Sequence, residues 1–167
     1  MRIVDAFLQE LVQEAKATRR LLERVPEGRL TWKPHPKSMT LGQLALHLAN
    51  INGGISGMGM QDAYSIEPSA FLNPQPASTA DILAAFEKGL ADAKERLSQV
   101  DDQKIMAGWE LKAGDKTLAA MPRVALYRAL LCNHQYHHRG QLSVYLRLLD
   151  VSIPSIYGPS ADENPFG

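Results

Sequence analysis

His134 and His138 stand four residues apart in the stretch Asn133-His134-Gln135-Tyr136-His137-His138-Arg139-Gly140-Gln141-Leu142. This stretch lies inside an apolar-periodic run from about Val124 to Leu149. At roughly 100° per residue with His134 at zero, His138 falls at about 40° and His137 at about −60°. Tyr127, Leu130, Leu131, Leu142, Tyr145, Leu148 and Leu149 fall between about −40° and 80°. Two imidazoles one turn apart on an apolar face need a partner. A third histidine, His47, sits on another apolar helix in Leu44-Ala45-Leu46-His47-Leu48. Together they predict a metal site of His47, His134 and His138; the competing account is a set of core histidines satisfied by ordinary hydrogen bonds.

Neutral imidazole ligates zinc, nickel, copper and iron well. An i, i+4 pair offers two nitrogens from one helix face. Three protein ligands with a free fourth position describe a catalytic site, where bound water or a bound thiol is deprotonated near neutrality. Residue 135 is Gln where a zinc-protease helix carries its glutamate base, which argues against peptide hydrolysis. His137 could also chelate with His134, but His138 is nearer the centre of the apolar face. Gln141, at about −20°, is placed to reach a ligand, and Asn50 and Gln43 lie on the polar side of His47. Asn50 and Gln141 are therefore candidate cofactor-binding residues, with surface amides as the plainer reading. Tyr136 and Arg139 point away from the metal face, Arg139 toward an acid in the tail or at a subunit contact. Cys132, about 160° from His134, is a packing residue.

Four amphipathic helices must position these groups, which predicts an all-α chain. The first spans about 4–25, with Val4, Phe7, Leu8, Leu11, Val12, Ala15, Leu22 and Val25 at helical spacing, closed by Pro26 and Gly28. A loop holds Trp32, Pro34, His35 and Pro36. Thr40-Leu41-Gly42-Gln43 is a capping box that opens the second helix. Its stripe is Leu41, Leu44, Leu48, Ile51 and Ile55, with His47 at the edge, and it weakens at Gly53-Gly54 and Gly57-Met58-Gly59-Met60. A long crossover over about 61–77 contains Pro68, Pro74 and Pro76. Ser78 or Thr79 caps a third helix that runs to about Val100 and carries no histidine or cysteine. Residues 101–121 break the pattern, with a small hairpin or an ordered loop around Gly114-Asp115. Met121-Pro122 begins the fourth helix. The tail after Leu149 is irregular, with Ile153, Ile156 and Tyr157 apolar enough to pack.

The 167 residues suit one domain, 1–167, at 45% hydrophobic and 22% charged. Eighteen basic residues balance eighteen acidic ones, with no basic stripe for nucleic acid. No run is long and apolar enough for a membrane span, and the N-terminus does not read as a secretory signal. One cysteine, Cys132, fits a reducing cytoplasm. Gly140 on the back of the fourth helix would permit another helix to approach, as in a homodimer.

His134-x-x-His137-His138-Arg139-Gly140-Gln141-Leu142, followed by Tyr145-Leu146-Arg147, resembles the last helix of the DinB/YfiT-like family. Trp32-x-Pro34, Thr40-Leu41-Gly42-Gln43-Leu44 and His47 resemble that family's second-helix signature. The resemblance spans about residues 1–160. It implies a four-helix bundle in up-down-down-up order, a divalent metal on His47, His134 and His138, and frequent dimers. Zinc is the first candidate metal, with nickel, iron or manganese behind it. Several relatives are transferases or isomerases that use a low-molecular-weight thiol such as bacillithiol or mycothiol. The expectation is therefore a metal-dependent thiol S-transferase acting on an electrophilic substrate. The alternatives are a metal-dependent hydrolase using bound water and a non-catalytic metal-binding or stress-response protein. Neither DNA binding nor polymerase activity is implied.

Overall fold

The computed structural model describes residues 1–67 and 72–166; Pro68, and with it part of the expected crossover, lies outside them. Helix α1 (Ile3–Leu22) buries Val4, Phe7, Leu11, Ala15, Thr18, Leu21 and Leu22. Val12, expected in that stripe, is exposed, and Thr18 takes a buried place instead.

Helix α2 (Leu41–Met60) opens on the capping box: the Gln43 amide N–H donates to Thr40 Oγ1 at 3.1 Å, and the Thr40 N–H to Gln43 Oε1 at 3.0 Å. It runs unbroken through its glycines, and two of them, Gly53 and Gly59, are points of close approach. A Cβ at Gly53 would lie 3.0 Å from the Gly89 Cα, and one at Gly59 would lie 2.4 Å from the Tyr127 ring.

The short strand β1 (Ala63–Ser65) follows, then α3 (Thr79–Ser98), whose cap Ser78 accepts from the Asp81 N–H at 3.0 Å. A five-residue helix, α4 (Asp102–Met106), leads into β2 (Gly108–Ala113) and β3 (Lys116–Pro122). The last helical region is continuous: α5 (Arg123–Leu126), a π-helical stretch Tyr127–Asn133, and α6 (His134–Leu148).

The all-α expectation is corrected here. The hairpin exists, with Ala113 paired to Lys116 and Gly114 at φ +57°, the left-handed conformation that a glycine-first tight turn requires. β1 adds to it in parallel, Ala63 opposite Glu110, giving a mixed sheet in the order β1-β2-β3. The chain is therefore not a pure four-helix bundle. The sheet holds because Trp109, 1% exposed, enters the core and its indole N–H donates to the Met58 carbonyl at 3.1 Å. Buried Arg123 closes the same corner by donating to the Gln61 carbonyl and the Asp62 carboxylate.

The long helices close a ring: α2 packs on α3 and α6, and α1 packs on α3 and α6. α6 ends with Asp150 at φ 58°; the Val151 N–H donates to Leu146 O and the Asp150 N–H to Arg147 O, the double bond of a Schellman turn. The tail is strapped down by Arg147–Asp162 and Arg20–Glu163 ion pairs at 2.5 Å each. Buried Ile153 supplies its apolar anchor. No helix among the described residues is long and apolar enough to cross a membrane.

Candidate metal centre

α2 carries His47 to the first turn of α6, where His134 and His138 project from one side. The His47 and His134 Nε2 atoms lie 3.3 Å apart, and those of His134 and His138 lie 2.6 Å apart. One ring nitrogen from each of the three lies within 4.8 Å of the others. His138 is 8% exposed, while His47 and His134 are half-buried.

Burial moves all three rings in one direction. It lowers the His47 and His134 pKa, the latter further through repulsion from His47 and His137. It takes His138 down to about 4, against a raising contribution from its bond to Gln141. All three are thus neutral at pH 7, with lone pairs available. Three neutral imidazoles grouped this closely can offer one lone pair each to a single cation. A tetrahedral zinc with Zn–N bonds of roughly 2.0–2.1 Å spaces its nitrogens roughly 3.3 Å apart. The His47–His134 separation of 3.3 Å matches that edge, and the His134–His138 pair would open by under roughly 1 Å to reach it. The donor set, all imidazole, suits zinc, nickel or iron.

The structure brings together the three expected histidines and leaves His137 out: it is exposed, its ring 4.9 Å from that of His138. Gln141 accepts from His138 Nδ1 at 2.7 Å, so it meets the outer nitrogen of one of the three histidines. His134 Nδ1 is buried with no partner among the described residues. Asn50 is exposed at the lip of a hollow of about 190 Å³ lined by Gln43, Leu46, His47, Leu72, Asn73 and Pro74. Its far wall is fixed to α2, since Gln43 Nε2 donates to the Asn73 carbonyl at 2.7 Å. A larger hollow of about 640 Å³ lies against the sheet, away from the three histidines, and among the described residues its lining includes Asp62, Trp109, Glu110 and Lys112.

Two residues depart from the helical-wheel reading. Arg139, expected to point outward, is 1% exposed, and its pairing acid is Glu14 of α1, reached at 2.5 Å. Gln135 is 2% exposed and donates to Thr18 Oγ1 at 3.0 Å, so the residue in the protease-base position is built into the core. Gln135, His138, Arg139, Leu142 and Leu146 form the buried face, centred about 95° from His134. His134 is therefore at the edge of that face, beside α2, and Arg139 at the opposite edge, beside α1. The π-helical turn upstream, which shifts the register of the earlier apolar residues, carries no signature that periodicity could have detected.

The family model described as "DinB family" matches residues 1–164. A curated relative, the uncharacterized protein YrdA of Bacillus subtilis (strain 168), is 30% identical over 168 residues, 96% of this chain and 91% of that protein. Among solved structures, a DinB-like protein from Bacillus cereus ATCC 10987 is 28% identical with a TM-score of 0.71, over 92% of this chain and 97% of that one. A DinB-like protein from Bacillus subtilis, YjoA, has a TM-score of 0.68 over 89% of this chain and 96% of that one; at 19% identity it speaks for the fold alone. With the match running from end to end and the histidines of both signature helices meeting in space, the chain belongs to the DinB family.

Proposed function

We propose that the chain is a divalent-metal-dependent enzyme that activates a low-molecular-weight thiol for transfer to an electrophilic substrate. The observation that carries this reading is the convergence of His47, His134 and His138 beside the Gln43–Asn50 hollow. A bound zinc ion there would lower the pKa of a thiol that reached it.

The protein's own residues supply the setting. Three neutral imidazoles provide a site whose ligands carry no charge. The hollow beside His47 is walled by Leu46, Leu72 and Pro74 and edged by the amides of Gln43, Asn50 and Asn73. Among the described residues its lining has no ionisable group other than His47, which suits a thiol bearing uncharged hydroxyl or amide groups there. The chain cannot supply the sulfur itself: Cys132 is buried, and burial pushes its thiol up to about 11. Gln135, locked onto Thr18, offers no base for a water nucleophile. Zinc is the favoured metal.

The proposal extends to a cytoplasmic location, where small thiols are abundant and reduced, and to a homodimer. Gly140, Val144 and Leu148 recur every four residues on the exposed side of α6, the two apolar side chains 57% and 58% exposed. They form a strip for a second copy, which sedimentation would check.

The test uses tag-free protein, because a histidine tag binds metal itself. Elemental analysis and zinc titration of wild type and of His47→Ala, His134→Ala and His138→Ala come first, followed by turnover of model electrophiles with and without added thiol. About one metal per chain, lost in each variant, with thiol-dependent consumption of the electrophile, is the expected result. Turnover without thiol would replace transfer by hydrolysis, and correctly folded wild type without metal would overturn the reading.

A further inference from the structure

Of the two imidazoles on α6, one has its outer nitrogen held and the other does not. The Gln141 side-chain oxygen lies 2.7 Å from His138 Nδ1, one turn along the same helix, while His134 Nδ1 is buried without a partner among the described residues. His138 is also the most deeply buried of the cluster, at 8% exposure, and exposed Gln141 lies along its outer edge. A neutral imidazole carries one proton, on one nitrogen or the other. An oxygen at Nδ1 keeps the proton there and leaves the Nε2 lone pair facing His134 and His47. With the proton on Nε2 instead, His138 would present a hydrogen to the point where the other two nitrogens converge.

We infer that Gln141 is a positioning residue that fixes the His138 tautomer and ring orientation, so that Nε2 faces the metal position. The inference rests on the three-histidine reading of the site. It assigns Gln141 a job that needs an acceptor, not merely bulk: an apolar side chain of similar bulk loses the function, whereas a carboxylate keeps it. Outer partners of this kind govern metal affinity by about 10–100-fold.

The experiment compares wild type, Gln141→Leu and Gln141→Glu. Nitrogen-15 spectra of the metal-free chain, with His138 assigned by its loss in His138→Ala, report which ring nitrogen bears the proton. Competition of ZnSO4 against a chromophoric chelator reports affinity, and thermal melting of the metal-free variants shows that each is folded. In wild type the His138 proton is expected on Nδ1. In Gln141→Leu it moves to the mixture of tautomers seen for a free histidine, and zinc binding weakens about 10–100-fold. In Gln141→Glu the Nδ1 proton is retained, and affinity stays within a few-fold of wild type. A wild-type proton on Nε2, unchanged affinity in Gln141→Leu, or equal loss in both variants would each overturn the inference. If wild type binds no zinc at all, the metal reading falls while the spectra still decide the role of Gln141.

Discussion

Arg139 of α6 reaches Glu14 of α1, Nη2 to Oε2 at 2.5 Å, from a position only 1% exposed. The guanidinium also lies over the rings of Tyr136 and Tyr157, 5.2 and 4.9 Å from their centroids, and donates to Thr18 Oγ1 at 3.2 Å. One side chain thus joins α6, α1 and the tail directly after His138. Breaking a buried pair from one side leaves the other group without its counter-charge. Arg139→Met is expected to destabilise the protein by about 3 kcal/mol in urea unfolding. Arg139→Met with Glu14→Leu should recover at least half of that, since no charge is then left unpaired. A double variant as unstable as the single one would show that the loss comes from packing over the tyrosines.

Gly59 is where α2 lets the Tyr127 ring pass. A Cβ there would lie 2.4 Å from Cε1 and from Oη, and Tyr127 is fully buried, so the ring cannot swing away. Gly59→Ala is expected to cost about 1–3 kcal/mol through overpacking, although alanine is ordinarily the better helix former. Adding Tyr127→Phe should not rescue it, because the ring carbons Cε1 and Cζ, at 2.4 and 2.5 Å, would still clash. A urea midpoint equal to wild type would mean that α2 can shift at this end.

Much of this was legible because local chemistry wrote it down. Thr40-x-x-Gln43 specifies both bonds of the α2 cap, and the i, i+4 spacing of His134 and His138, with His47 on a second apolar helix, points to a cluster. What escaped depended on neighbours. β1 is three residues long, too short for alternation to register, and exists only because β2 offers it an edge. Arg139 reads as a surface cation until α1 supplies Glu14. A wheel centred on the histidines misplaces the buried face of α6, because a ligand belongs at its edge, where a second helix can meet it. Gly53 and Gly59 of α2 read as breakers in sequence because their reasons, Gly89 and Tyr127, lie far along the chain.

Metal binding only to the folded state adds stability, about 2.7 kcal/mol at a free concentration one hundred times the dissociation constant. Thermal melts of tag-free protein with and without zinc should show a clear rise in Tm for wild type and for His137→Ala, since His137 lies outside the cluster. His138→Ala should show little or none. A rise retained in His138→Ala and lost in His137→Ala would exchange their roles.

The metal-free chain should lose stability on mild acidification. His138 is held at about 4 by burial against an ordinary 6.5, and burial lowers His47 and His134 in the same direction. Between those two pH values the unfolded chain binds more protons than the folded one. Stability is therefore fully present above about pH 6.5 and falls as the pH drops toward 4, by up to about 1.4 kcal/mol per pH unit for each ring that stays neutral only when folded. Urea midpoints from pH 7.5 down to 4.5, taken in chelator, should trace that fall, and His138→Ala should make it shallower. Saturating zinc should steepen it, because protons then also compete for the ligands. A metal-free profile flat over this range would mean that the three rings accept protons as freely in the folded chain as in the unfolded one, and so are not buried as described.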